Sequence, residues 1–125
     1  MAEAFEVKAV ARHVAISAQK VRLVLDVVRG EDASKALDML RFMPQKAAEP
    51  VYKLIHSAVA NAEQNYGLET DELFVSRIFA DEGPRRRLSP YGGRFGARGR
   101  FKPITRRSSH VTVILAEREV VDFEV

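Results

Sequence analysis

A chain of 125 residues has room for one domain and no second. With 46% hydrophobic and 30% charged residues it is too apolar for a disordered chain, yet no apolar run approaches the ~20 residues of a membrane-spanning helix. The absence of cysteine excludes disulfide frameworks, thiolate metal sites, iron–sulfur clusters and cysteine nucleophiles, and the formal net charge of +3 hides a very uneven distribution.

Residues 5–14 read as a strand, with Phe5, Val7 and Ala9 on one face and Glu6 and Lys8 on the other. Ser17 is placed to cap a helix over 18–29. Its apolar stripe is Val21, Val24, Leu25 and Val28, and Gly30 is placed to stop it. Asp32 is placed to cap a second, short helix carrying Ala33, Ala36, Leu37 and Leu40, closed by Pro44. A third helix runs to about Tyr66, with Val51, Leu54, Ile55, Ala58, Val59 and Ala62 inward and Gly67 as its stop. Pro50 leaves two starts open: the first helical position, or a bend in a helix that begins near Gln45. Two further strands are expected over 73–80, with Phe74, Ile78 and Ala80 on one face, and over 110–116, rich in Val, Ile and Thr. The tail 120–125 alternates apolar and acidic residues and is either an edge strand or frayed. The expected fold is therefore α+β, three helices on a small three-stranded antiparallel sheet.

The charge is concentrated between the last two strands. Residues 83–116 contain no Asp or Glu. Nine cations fall within 85–107: Arg85, Arg86, Arg87, Arg94, Arg98, Arg100, Lys102, Arg106 and Arg107. The other eleven cations face all seventeen acids, so an acidic body of net −6 carries a segment of +9. Five of the seven glycines and three of the five prolines lie in 83–103, which no regular helix survives. Its few apolar residues cannot form a core, so 83–107 is expected as a long basic β-hairpin, ordered by a partner and reaching ~40 Å at ~3.3 Å per residue. The domain thus divides into a body (1–82 and 108–125) and an arm (83–107).

Eight arginines against one lysine favour bidentate phosphate contacts over a merely solvated surface. Tyr91, Phe95 and Phe101 offer rings for stacking on bases. An irregular Arg-rich loop suits folded RNA, whereas no helix presents a clean basic face to a DNA major groove. A second basic set, Lys8, Arg12, Lys20, Arg22 and Arg29, lies on the body in the first strand and helix; Lys8 and Arg12 share one strand face. An ordinary charged surface explains that set as well as RNA contact does.

The remaining motifs carry no chemistry. Gly93, Gly96 and Gly99 recur every third residue, but no helix start follows, so a phosphate-cradling nucleotide loop is excluded. His13, His56 and His110 lie on separate elements without metal-ligand spacing, and no metal or cofactor is expected. Asp71 with Glu72 and Asp81 with Glu82 are sequence neighbours on extended chain, which point apart. Ser109 beside His110 has no third member. An enzyme is not expected.

Several runs together resemble one family. They are residues 9–17, then Lys20-Val21-Arg22-Leu23-Val24, Arg29-Gly30, and Ser57-Ala58-Val59-Ala60-Asn61-Ala62-Glu63. Asp81-Glu82-Gly83-Pro84, Arg98-Gly99-Arg100 and residues 104–113 complete the pattern. The chain resembles the universal large-subunit ribosomal proteins numbered twenty-two, over roughly residues 5–116. The resemblance implies a structural constituent of the large subunit that binds 23S-type rRNA, contacts several rRNA domains and assists early assembly. Its hairpin would line the nascent-polypeptide exit tunnel. Implied partners are the rRNA, neighbouring large-subunit ribosomal proteins and, in passing, the nascent polypeptide. No membrane contact and no homo-oligomer are expected, and the location implied is cytoplasmic; a strand pattern that begins near Phe5 leaves no room for a signal or transit peptide.

Carried over by residue, Arg98, Gly99 and Arg100 match the family's tip-proximal motif, and Arg106, Arg107, Ser109 and His110 its returning arm. Ala18 replaces a common proline. The stretch 83–98 is about four residues longer than the family pattern, which makes Tyr91, Gly92, Gly93, Arg94, Phe95 and Gly96 the expected tip and an altered tunnel shape the expected result. The alternative is a free-standing RNA-binding regulator or chaperone using the same Arg/Gly-rich loop.

Overall fold

The computed structural model describes residues 6–87, 93–95, 97–103 and 105–117. Phe5, residues 88–92, Gly96, Ile104 and the tail 118–125 lie outside them, so the expectations for Phe5, Tyr91, Gly92, Gly96 and the tail strand fall there too.

Three helices follow the first strand, β1 (Glu6–Val14): α1 (Ala18–Val28), α2 (Ala33–Arg41) and α3 (Ala48–Tyr66). Strand β2 (Leu73–Glu82) and the last strand, β7 (Ser109–Glu117), flank the arm. The sheet order is β1-β7-β2, with both pairings antiparallel. The α+β body expected from the sequence is the body observed.

The helices cover one face of the sheet. The stripe of α1 is buried at Val21, Val24, Leu25 and Val28, and α3 buries Val51, Leu54, Ile55, Ala58, Val59 and Ala62. They meet Val7 of β1 and Val111, Val113 and Leu115 of β7. Each such fully buried Val, Leu or Ile contributes roughly 1.5–3 kcal/mol. This core holds β2 and β7 as a platform from which the arm leaves.

Gly30 and Gly67 end their helices as expected, with φ of +80° and +63° in the left-handed region where a Cβ is strained. Gly67 N–H donates to Glu63 O at 3.2 Å and Leu68 N–H to Ala62 O at 3.2 Å. Three details differ from the sequence expectation. Ser17 and Asp32 occupy the N-cap positions, but neither side chain forms a cap hydrogen bond. Pro50 is the third residue of α3, where its missing N–H is one the helix leaves unpaired anyway. Finally, the inward face of β2 begins with Leu73 and Val75 rather than Phe74. Val75 pairs with Leu115 and Arg77 with Ile114, so Ser76 is an extra residue that switches the phase before Ile78 and Ala80.

The free edge of β2 is covered from α1 and its following turn. Val75 N–H donates to Glu31 O at 2.9 Å and Gly30 N–H to Val75 O at 3.1 Å. Further along, Arg22 donates through Nε and Nη2 to Ala80 O at 3.2 and 2.9 Å, and Arg29 Nη2 to Ile78 O at 3.1 Å. These bonds satisfy carbonyls that an open edge would offer to another chain.

Candidate nucleic-acid interface

Strands β2 and β7 end on a tight junction where the arm departs. Gly83 N–H donates to Ser108 O at 2.8 Å, and Ser108 Oγ–H donates to Pro84 O at 2.8 Å. His13, at the end of β1, adds a third element: its N–H donates to His110 Nδ1 at 3.1 Å, and the two rings meet edge to face at 5.0 Å. His13 has φ of +58°, a left-handed conformation that costs a side-chain-bearing residue about 1 kcal/mol. That turn brings β1 against the root of the arm.

Beyond the junction the arm continues as two short antiparallel ladders. Strand β3 (Arg86–Arg87) pairs with β6 (Thr105–Arg106), and β4 (Gly93–Phe95) with β5 (Phe101–Pro103). Arg87 faces Thr105 on the first ladder and Gly93 faces Pro103 on the second. The chain reverses later than expected, through Ala97–Gly99, where Arg98 and Gly99 have φ of +61° and +72°. Gly93, Arg94 and Phe95, expected at the tip, are instead paired on β4 before the turn. Arg98 and Gly99 are the turn itself, and both are exposed.

Arg85, Arg98, Arg100, Arg106 and Arg107 are all exposed. Among the described residues none of the five forms an ion pair, whereas on the body Arg29, Lys35, Lys53 and Arg77 pair with Asp26, Glu31, Glu49 and Glu6. The root of the arm is also concave. A cleft of about 600 Å³ lies between the start of α1, the α2–α3 connection and the returning arm, with Lys20, Lys46, Arg106 and Arg107 in its lining. A second cleft of about 580 Å³ is lined by His13, Pro84, Arg85, Arg106, Arg107 and Ser108. Neither lining includes an acid among the described residues.

The structure sorts the other sequence candidates. Lys20 faces the first cleft. Lys8 and Arg12 lie exposed on the face of β1 turned away from the helices. Arg22 is a structural anchor on β2 through Ala80 O. Ser109 is a correction: it is 0% exposed, so its side chain presents nothing to a partner. His110 is half-buried beside His13. Arg86, Arg87 and Lys102 sit on the paired arm strands. Lys46 was missed by sequence reasoning; it is an ordinary lysine between two helices, and only the fold brings it to the arm. Among the described residues no group of His, Asp and Glu could hold a metal ion, and no helix is long and apolar enough to cross a membrane.

An acid-free, arginine-rich arm rooted on a small α+β body has the charge pattern of a nucleic-acid-binding surface. The comparisons with known proteins point to one family. The model of the family "Ribosomal protein L22p/L17e" matches residues 9–116. The "Large ribosomal subunit protein uL22" of Desulfitobacterium hafniense is 48% identical over 115 residues, covering 91% of this chain and 96% of that protein. The protein of the same description from Thermomicrobium roseum is 50% identical over 113 residues, 90% of this chain and 92% of that one. The chain belongs to the ribosomal protein L22p/L17e family.

Proposed function

We propose that the chain is a structural, non-catalytic constituent of the large ribosomal subunit that binds 23S-type rRNA. The observation that carries this reading is the set of exposed arginines, Arg85, Arg98, Arg100, Arg106 and Arg107, on an acid-free arm that leaves an otherwise acidic body. The body docks on the subunit surface beside neighbouring ribosomal proteins. The arm runs among RNA segments, contacts several rRNA domains, and puts the turn at Arg98 and Gly99 deepest, along the wall of the nascent-chain exit tunnel. Such an arm acts early in assembly, because it holds distant RNA segments in one geometry as phosphate contact orders it. That the relatives are large-subunit ribosomal proteins supports this assignment. A cytoplasmic location and the absence of a homo-oligomer belong to the same reading.

The test is stoichiometry. The chain is expected to sediment with large subunits at one copy each through moderate salt. Recovery mostly as free protein, or in sub-stoichiometric complexes, would instead identify a free-standing RNA-binding regulator or chaperone.

A further inference from the structure

The cleft at the root of the arm combines two kinds of surface. Lys20, Lys46, Arg106 and Arg107 reach it from three segments far apart in sequence. No carboxylate joins them among the described lining residues, although the body as a whole carries a net −6. The same lining includes Ile16 and Leu23, and Leu23 is 68% exposed. Lys20 and Leu23 are three residues apart on α1 and so share one face, a charge beside an apolar wall. A simple anion has no use for that wall. An apolar partner has no use for four cations. A nucleotide, with a flat base and charged phosphates on either side, uses both.

We propose that this cleft lodges one unstacked ribonucleotide of the bound rRNA. Its base rests on Ile16 and Leu23, and its flanking phosphates meet Lys20, Lys46, Arg106 and Arg107. The proposal rests on the rRNA-binding reading and gives it a specific subsite on the body. The volume of about 600 Å³ is in the range of small-ligand sites. Helices α1 and α3 both begin here, at Ser17 and Ala47, and neither has a side-chain cap, so their positive ends add to the field. Because two of the four cations belong to the returning arm, a nucleotide held here also fixes the direction in which the arm leaves the body.

The full chain is titrated with deproteinised large-subunit rRNA across a series of salt concentrations. Lys20, Leu23 and Lys46 are exposed, so substitutions there leave folding intact, as a thermal melt of each variant verifies. Lys20→Gln/Lys46→Gln is expected to reduce the log–log salt slope by about 1.4–1.8, two phosphate contacts at ~0.7–0.9 each. Leu23→Ser is expected to weaken binding several-fold without changing the slope. A charge-matched control, Lys35→Gln/Lys53→Gln, removes two other exposed lysines and should leave the slope as it was. An unchanged slope in the Lys20/Lys46 variant, an equal change in the control, or full affinity in Leu23→Ser would overturn the proposal while leaving arm binding standing. Failure of the unaltered chain to bind the rRNA would remove the RNA-binding reading, and the cleft with it.

Discussion

Gly83 and Ser108 face each other across the root of the arm with no room for a methyl group between them. A Cβ on Gly83 would lie 2.5 Å from Ser108 Oγ, 3.2 Å from the Ser108 carbonyl carbon and 3.3 Å from His110 Cε1. The same pair carries the 2.8 Å backbone hydrogen bond that closes the junction. The need here is for space, since this glycine's φ is not positive. Gly83→Ala is expected to cost about 1–3 kcal/mol through overpacking. Ser108→Ala removes the nearest clashing atom, so the double variant should recover part of the loss. A double-mutant cycle on thermal unfolding checks this. Strictly additive losses would show that the contact is not the cause.

Arg22 is expected to matter for the fold rather than for RNA. Its two donors meet Ala80 O on the edge of β2, in a part-buried setting. Arg22→Ala should lower the stability of the free protein by about 1.5–2 kcal/mol, the lower part of the range for charge-assisted bonds. Arg22→Lys keeps the charge but loses the planar fork, so it should restore only part. Denaturant unfolding of the three proteins measures both steps.

Ser109 has the opposite expectation. Its hydroxyl is buried and has no hydrogen-bond partner among the described residues. Replacing it with alanine removes a desolvated polar group and little volume, so Ser109→Ala should be neutral or stabilising by up to ~1 kcal/mol. A fall in Tm would show that the hydroxyl has a partner in the folded protein.

A small pH effect is expected at the end of the sheet away from the arm. The Glu72 carboxyl is raised above its ordinary range, first by a hydrogen bond with Glu117, then by desolvation and by the charges of Glu117 and Asp71. A carboxyl whose pKa is raised on folding stabilises the fold while protonated, and that stabilisation is lost as pH rises through the raised value. Glu72→Gln removes the repulsion that remains. Its Tm should exceed that of the unaltered protein at neutral pH, and the two should converge below the carboxylate range.

The parts of this protein legible in its sequence are those set by local periodicity. The buried stripes of α1 and α3 fall where spacings of three and four residues put them. Gly30 and Gly67 adopt the left-handed conformations their positions imply. The basic arm was legible because charge composition needs no geometry. What escaped depended on distant parts meeting. Ser76 becomes a bulge only against the register of β7, which turns Leu73 and Val75 inward in place of Phe74. The reversal at Arg98 and Gly99 follows from Phe95 pairing with Phe101, a register that glycine spacing alone does not set. Ser109 looked like part of a basic returning arm, yet it is the first residue of the central strand and is buried there. Arg22 belongs to the basic set of the first strand and helix and Lys46 to none; the fold ties Arg22 to a strand edge and brings Lys46 to the arm's root.

On the proposed function, the arm carries the principal RNA contacts, and the fold is held by the core of the body. The most direct measurement pairs subunit incorporation with the stability of the isolated protein for Arg98→Ala/Arg100→Ala. Both side chains are exposed, and neither forms an ion pair among the described residues. The variant should melt at the temperature of the unaltered chain and be clearly depleted from sedimented large subunits. Undiminished incorporation, or a loss of incorporation matched by an equal loss of thermal stability, would contradict the account.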